Sequence, residues 1–282
     1  LSIEQATWLT TIVQIGFVCG TAMAATFNLA DIVSSRFYFT VAALLAAGAN
    51  VAIIFVDSYV EGLACRFFVG FFLAGVYPPA MKMIATWFKS YRGFAIGTIV
   101  GALTCGKATP HLIQAIAPND YVGVIVTSSI AAVVAGILVL SFYRDGPHAF
   151  PVRKFRLALV LDVVKHRPTR LAIAGYLGHM WELYAMWVWI PPFIAASFAL
   201  HGGMERQASL AAFMAIAAGA IGCVWGGWAA DRMGREKLVN ICMAVSGIAS
   251  LCIGITFGAT PWLVAICACI WGFFVVADSA QF

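Results

Sequence analysis

The sequence predicts an all-α membrane protein built from long apolar helices. Of its 282 residues, 62% are hydrophobic and only 10% are charged, and the mean hydropathy is +0.93. A soluble domain carries about 25% charged residues, so this chain lacks the polar groups needed to cover its surface in water. Its apolar runs are also continuous and rich in Ala, Leu, Ile and Gly. Runs of about 18 residues or more cross a bilayer as helices, whereas a membrane β-barrel would need strictly alternating strands of about ten residues.

Nine apolar segments are predicted to span the membrane. They cover residues 7–27, 37–56, 61–86, 93–117, 121–143, 170–198, 207–229, 238–258 and 261–282. The connections are short except for residues 144–169, which carry several Lys and Arg residues around a small apolar run. This linker is either an amphipathic helix lying on the membrane surface or an irregular basic loop.

The basic residues predict the orientation of the spans. All of the 17 Lys and Arg residues except Arg66, Lys107 and Arg206 fall on one side of the predicted membrane. Cytoplasmic loops are enriched in Lys and Arg, so this side is predicted to be cytoplasmic. The formal net charge of +5 therefore reflects topology and does not indicate binding to nucleic acid.

A charged, glycine-containing turn at residues 227–237 has an earlier counterpart around Asp31 and Arg36. Six predicted spans separate the two turns, which indicates a duplicated protein of twelve spans in two halves. We expect an N-terminal bundle over 1–143 that lacks its first helix and a cytoplasmic linker over 144–169. A C-terminal bundle over 170–282 is then expected to lack its last two helices.

The turn resembles the loop signature of the major facilitator superfamily. The matching residues are Gly227, Asp231, Arg232, Gly234, Arg235 and Lys237, while the first-half copy keeps only Asp31 and Arg36. Arg66, followed by Gly70 and Gly75, is similar to the Arg motif of the superfamily's fourth helix. The resemblance implies two helical bundles that rock about a central site by alternating access.

Two further stretches refine this resemblance. Residues 178–184 and 278–282 resemble bacterial permeases grouped near nitrate, nitrite and cyanate transporters. The antiporter signature of the fifth helix is not matched, because Lys107 to His111 follow the glycines where a Gly-Pro pair is expected. This departure argues against a drug–proton antiporter.

The turn residues have two interpretations. Glycines allow close backbone approach, Asp231 can pair with a cation or a helix N-terminus, and Arg232 and Arg235 can bind carboxylates or carbonyls. Such contacts would latch one conformation of a rocking protein, a role that the resemblance also implies. Alternatively, the basic residues are simple cytoplasmic anchors.

Ionisable residues at membrane depth are the candidate functional residues, because a charge near the bilayer centre is costly unless it faces a cavity or a partner. They are Arg66, Lys107, His111, His179, Glu182 and Asp278. Lys107 and His111 share one helix face, as do His179 and Glu182, which lies roughly 18 Å into its span. The alternatives are a structural Lys107–Glu182 ion pair, a fixed hydrogen-bond donor at Arg66, satisfied polar histidines and an interfacial Asp278.

Together with the resemblance, these residues predict a secondary active transporter that moves a small organic or inorganic anion with protons. Glu182 is the preferred proton site, with His179 sharing the proton, and the basic groups attract the anion. Trp181 and Tyr184 either line the cavity or face lipid. We expect a monomeric, multi-pass protein of the bacterial plasma membrane.

Two other functions are less well supported by the sequence. One is a non-transporting sensor or receptor on the same scaffold. The other is a membrane-embedded enzyme, which would need a nucleophile or metal constellation at an interface. The sequence contains no nucleotide-binding glycine loop and no zinc-ligand spacing among its eight cysteines, so it predicts neither a cofactor nor a metal.

Overall fold

The computed structural model describes residues 2–118, 120–148, 163, 165–203 and 205–281, and its regular elements there are helices. In chain order they are α1 Ile3–Thr26, α2 Leu29–Ile32, α3 Ser35–Ala52, α4 Tyr59–Leu73, α5 Tyr77–Ala85, α6 Arg92–Ile116, α7 Tyr121–Phe142, α8 Arg167–Ala199, α9 Glu205–Met233, α10 Arg235–Cys252 and α11 Pro261–Ala277. Short 3-10 turns extend α3 and α10. Every predicted span coincides with one or two of these helices, so the predicted fold class is confirmed.

Six helical segments are long and apolar enough to cross a bilayer. They are Thr7–Thr26, Ser35–Phe55, Tyr59–Ala85, Tyr121–Phe142, Glu205–Met233 and Arg235–Thr256. The helix α11 is apolar but shorter. The helices α6 and α8 have 25 and 33 residues, ample length for a span, but they carry much of the polar chemistry of the chain. Their lower hydropathy therefore reflects the ionisable candidate residues that they contain.

Prolines have different effects in two of the predicted spans. The span over 61–86 is divided, because α4 ends at Leu73 and α5 begins at Tyr77 with prolines in its first turn. Proline fits a first turn because its missing N–H has no intrahelical acceptor there. By contrast, α8 continues through Pro191 and Pro192.

The described helices form two compact units. The first contains α1 to α5 and α7, in which α1 packs on α4 and α3 packs on α7. The second contains α6 and α8 to α11, in which α9 packs along both α6 and α11. The helix α6 thus lies with the second unit, although the sequence analysis assigns it to the N-terminal bundle. The bundle boundaries themselves stay a prediction.

The start of the linker is fixed to the end of α5. The Gly146 N–H donates to Thr86 Oγ1 at 3.1 Å, and the His148 N–H donates to the Thr86 carbonyl at 3.0 Å. Residues 149–162 and 164 lie outside the described part of the chain. The choice between a surface helix and a loop in this linker therefore stays open.

A polar contact between α3 and α7 gives a stability test within the first unit. The Asn50 side-chain amide lies 3.1 Å from Ser128 Oγ, 3.0 Å from Ser129 Oγ and 3.3 Å from the Ile125 carbonyl. Hydrogen bonds between membrane helices contribute about 1 kcal/mol. We expect Asn50→Ala to lower the free energy of unfolding by about this amount, measured by chemical unfolding in detergent micelles. The control is Asn240→Ala, at an exposed position of α10, and equal stability of the two variants would contradict the prediction.

Candidate functional site

The signature turn joins α9 to α10 and contacts the start of α6. The helix α9 ends at Met233, and Gly234 adopts a positive φ of 90°, a backbone conformation that favours glycine. Asp231 Oδ2 accepts a hydrogen bond of 3.1 Å from the Phe94 N–H in the first turn of α6. The carboxylate therefore caps a helix N-terminus, where negative charge is favourable.

Glycines bring α6 and α9 into backbone contact. A Cβ atom added at Gly227 would overlap the Gly93 carbonyl oxygen, and one added at Gly97 would overlap the Cys223 carbonyl oxygen. Small residues at helix crossings permit this approach in membrane proteins. The contact places Phe94 and Asp231 within hydrogen-bonding distance.

The basic residues of the two turns differ in their surroundings. The Arg232 guanidinium lies 4.0 Å from the centroid of the Trp228 ring, one turn earlier on α9. In the first unit, Lys82 Nζ lies 2.6 Å from Asp31 Oδ1. Arg36 and Arg235 are exposed. Asp31 of the first-half turn thus forms an ion pair with Lys82 of α5, within the first unit.

Glu182 is held by two neutral donors from different helices. Trp271 Nε1 on α11 donates to Oε1 at 2.9 Å, and Ser246 Oγ on α10 donates to Oε2 at 3.0 Å. Each donor stabilises negative charge on the oxygen that it contacts. The carboxylate is half-buried and links α8 to α10 and α11.

His179 and Asp278 form a second, more deeply buried cluster. Their side chains are 2% and 1% exposed, and His179 Nδ1 lies 3.1 Å from Asp278 Oδ1. The other ring nitrogen, Nε2, lies 2.8 Å from Ser279 Oγ. The Tyr176 ring stacks on the imidazole with centroids 6.2 Å apart.

Lys107 of α6 contacts Trp187 of α8, whose ring packs against Tyr184. Its Nζ atom lies 5.7 Å from the centroid of the Trp187 ring, and the Tyr184 ring meets Trp187 edge-on at 5.6 Å. The Trp187 Nε1 atom is buried and has no hydrogen-bond partner among the described residues. Trp181 is 82% exposed and Tyr184 is 38% exposed, whereas Trp187 is buried.

His111 lies one turn beyond Lys107 on α6 and opens onto a cavity of about 210 Å³. The cavity is lined by His111, Gln114, Pro191, Pro192, Ala195, Glu205, Ala208, Ser209 and Ala212. The prolines of α8 therefore form part of a polar-edged pocket. Glu205, at the start of α9, brings a negative charge to the same wall.

Arg66 belongs to the first unit, where its Nε atom donates to the Leu9 carbonyl on α1 at 3.2 Å. Arg66 thus donates a hydrogen bond from α4 to α1. The guanidinium has further N–H groups, so one such contact leaves its charge available for other interactions.

Comparison with known proteins places this arrangement in a family. The family model described as "Major Facilitator Superfamily" matches residues 1–278, which is nearly the whole chain. The chain belongs to the major facilitator superfamily. This superfamily consists of membrane transporters and not enzymes, as the sequence predicts.

One relative of this superfamily member is the "Fujikurins efflux protein" of Gibberella fujikuroi. It is 28% identical over 186 residues, which cover 65% of this chain and 39% of the relative. The chain therefore matches about two fifths of that relative's length.

In this superfamily member, several partners of the predicted residues were missed by sequence reasoning. Ser246 and Trp271 hold Glu182, and Ser279 contacts His179. Ser246 and Trp271 are 64 and 89 residues from Glu182 in the chain. By contrast, Trp187, which contacts Lys107, belongs to the aromatic residues that the sequence places around Glu182 on the same helix.

Proposed function

We propose that this protein is a secondary active transporter that moves a small organic or inorganic anion together with protons by alternating access. Membership of the superfamily supports transport. The anion and the proton are proposed from the ionisable residues in the spans. A sensor or receptor on the same scaffold is the alternative, and it would bind the anion without moving it.

The observation that carries the anion proposal is the contact between Lys107 and Trp187. Lys107 provides positive charge at membrane depth, and its surroundings are partly open because the side chain is exposed. The indole N–H of Trp187 is buried without a described partner, although most buried donors in proteins are satisfied. An ammonium and a free N–H donor within one short region suit a small anion.

The proposed pathway in the second unit contains Lys107, His111, His179, Glu182 and Asp278. Lys107 and His111 lie on the side of α6 that faces α8, where the cavity beside His111 offers room for a small solute. Glu182 and the His179–Asp278 pair supply acidic and titrating groups. Arg66, in the first unit, is a further proposed pathway residue, and Trp181 and Tyr184 are the proposed cavity aromatics.

The latch role of the signature turn is part of the same proposal. The contact between Asp231 and the Phe94 N–H would hold α6 against α9 in one conformation and break in another. Gly227, Gly234, Arg232 and Arg235 would support the turn in this state, and Asp31 and Arg36 would act in the first-half counterpart.

The direction of transport and the anion follow from different likenesses. The name of the Gibberella fujikuroi relative describes efflux, which favours export. The likeness of residues 178–184 to nitrate, nitrite and cyanate permeases favours a small anion. A monomer in the plasma membrane, as in bacteria, is the proposed setting.

The test is anion flux in proteoliposomes that contain the intact protein, under an imposed proton gradient. Small carboxylates, nitrate, nitrite and cyanate are supplied in turn, inside or outside the vesicles. We expect Lys107→Ala to raise the half-saturating anion concentration about tenfold, equivalent to about 1.4 kcal/mol. Lys89→Ala is the control, because Lys89 is exposed just before α6 on the predicted cytoplasmic side.

An unchanged half-saturating concentration in Lys107→Ala would contradict the anion site. Anion binding by thermal shift without any flux would instead favour the sensor or receptor. An anion flux that is the same with and without the proton gradient would contradict proton coupling.

A further inference from the structure

We infer that the buried His179–Asp278 pair is a proton-binding site and that its proton is the one exchanged during transport. The second half of this inference rests on the function proposed above. The sequence favours Glu182 for this role, whereas the site inferred from the structure is a different carboxylate, Asp278.

The Asp278 carboxyl is buried without a hydrogen-bond partner among the described residues. Asp278 is 1% exposed, and His179 Nδ1 is within 3.1 Å of its Oδ1 atom. However, neither Asp278 oxygen has a hydrogen-bond partner in the part of the chain that the structure describes. Gln281, in the same turn as Asp278, is also buried with an unsatisfied amide among those residues. An ionised carboxylate is costly in such a place, and a proton removes the cost.

The named neighbours of the pair carry no positive charge. The thiols of Cys223 on α9 and Cys242 on α10 lie near enough to affect Asp278 electrostatically, and a thiol is largely neutral at pH 7. The phenol of Tyr176 stacks beside His179 and is also neutral. Glu182, one turn along α8, is acidic. These neighbours offer no positive charge, so His179 is the group that can balance Asp278.

The Ser279 hydroxyl can form a hydrogen bond with the imidazole in both of its protonation states. When His179 is neutral with its proton on Nδ1, Nε2 accepts a hydrogen bond from Ser279. When His179 is an imidazolium, Nε2 donates to the same oxygen, because a hydroxyl can act as donor or acceptor. The pair can therefore gain one proton while the 2.8 Å contact between Nε2 and Oγ is kept.

Glu182 differs from Asp278 in each of these respects. It is half-buried, and each of its oxygens accepts a hydrogen bond from a neutral donor. Its negative charge is thus already stabilised, whereas that of Asp278 is not. We assign Glu182 to a fixed charge and the His179–Asp278 pair to the exchangeable proton.

The resulting cycle is balanced in charge and protons. The pair with one shared proton carries a net charge of minus one, and it becomes neutral when it takes one proton from water on one side of the membrane. Closure of that side then favours the neutral pair, since a buried net charge is costly. Opening to the other side rehydrates the pair, which releases the same proton there.

The test is infrared difference spectroscopy of the purified intact protein between acidic and alkaline pH, which needs no substrate. We expect the wild type to show imidazole bands and, beside the signal of the exposed carboxyls, a band from a buried carboxyl that shares its proton with His179. Asp278→Asn should remove this buried-carboxyl band and shift the imidazole bands, while His179→Gln should keep it but change the pH at which it appears. His201→Gln is the control, because His201 is exposed and contacts the Ala259 carbonyl. Size-exclusion chromatography establishes that each variant is folded.

Loss of the carboxyl band in Glu182→Gln, or its survival in Asp278→Asn, would overturn the proton site. If Asp278→Asn is misfolded, the shifted titration in His179→Gln and a smaller shift in Ser279→Ala decide the question. An unchanged titration in both would also overturn the site.

Transport measurements separate this inference from the proposed function. We expect Asp278→Asn to reduce gradient-driven anion accumulation at least about tenfold while anion exchange without a gradient continues. Wild-type accumulation that survives in Asp278→Asn would overturn the inference and leave the proposed function intact. A wild type that moves anions without any response to protons would defeat proton coupling, even if the infrared titration identifies the pair.

Discussion

Replacing Gly227 by valine is expected to produce the largest loss of folded protein among single changes at the signature turn. A Cβ atom at this position would overlap the Gly93 carbonyl, and the remaining side-chain atoms would force α6 away from α9. Overpacking of a close contact costs about 1–3 kcal/mol, and the displaced backbone would also break the hydrogen bond from Phe94 to Asp231. The measurements are the yield of monodisperse protein in detergent and its melting temperature.

The matched control is Gly247→Val in α10, where an added Cβ meets no atom within 4 Å. Asp231→Asn separates packing from charge, because it keeps an acceptor for the Phe94 N–H but removes the negative charge. We expect this variant to fold normally and to lose only the contribution of charge at a helix N-terminus, about 0.3–1 kcal/mol. A Gly227→Val protein as stable as Gly247→Val would show that α6 and α9 are not closely packed.

The helical fold could be predicted from the sequence because a lipid environment restricts which backbone structures are stable. An apolar run in a bilayer has to satisfy its backbone internally, so each long run becomes a helix. The interruption between α4 and α5 was harder to predict. Prolines within a span are compatible with either a break or a continuous helix, and Pro78–Pro79 and Pro191–Pro192 illustrate the two outcomes.

Only part of the candidate site could be predicted from the sequence. Ionisable residues in apolar runs are conspicuous in any sequence, so Lys107, Glu182 and Asp278 could be selected without a structure. Their partners could not be selected, because a serine, a tryptophan or a backbone N–H is common in membrane helices. The N–H of Phe94 is 137 residues from Asp231, and only the packing of α6 on α9 brings the two together.

The difference between the two carboxylates also depends on packing. From the sequence, Glu182 and Asp278 are both acidic residues in or near spans. The structure gives Glu182 two neutral donors and gives Asp278 a buried imidazole. The pairing of helices α8, α10 and α11 therefore decides which carboxylate has its charge stabilised.

Replacement of Glu182 by glutamine is expected to leave the protein folded but to reduce anion transport at least about tenfold. Glutamine can keep both hydrogen bonds: its carbonyl oxygen accepts from Trp271, and its amide donates to the Ser246 hydroxyl, which also acts as an acceptor. The substitution therefore removes the charge and retains the links from α8 to α10 and α11. Transport rate and melting temperature are measured on the same preparation, with Glu236→Gln, at an exposed position of α10, as the control.

Glu182→Ala gives the complementary result, because it removes the charge and the hydrogen bonds together. The Trp271 N–H would lose its acceptor, at a cost of about 1–3 kcal/mol, whereas the Ser246 hydroxyl could still donate to the Met243 carbonyl, 3.4 Å away. We expect this variant to melt below Glu182→Gln and to transport no better. If Glu182→Gln transports like the wild type while Glu182→Ala does not, then the carboxylate acts only as a hydrogen-bond acceptor between helices and its charge has no part in the transport cycle.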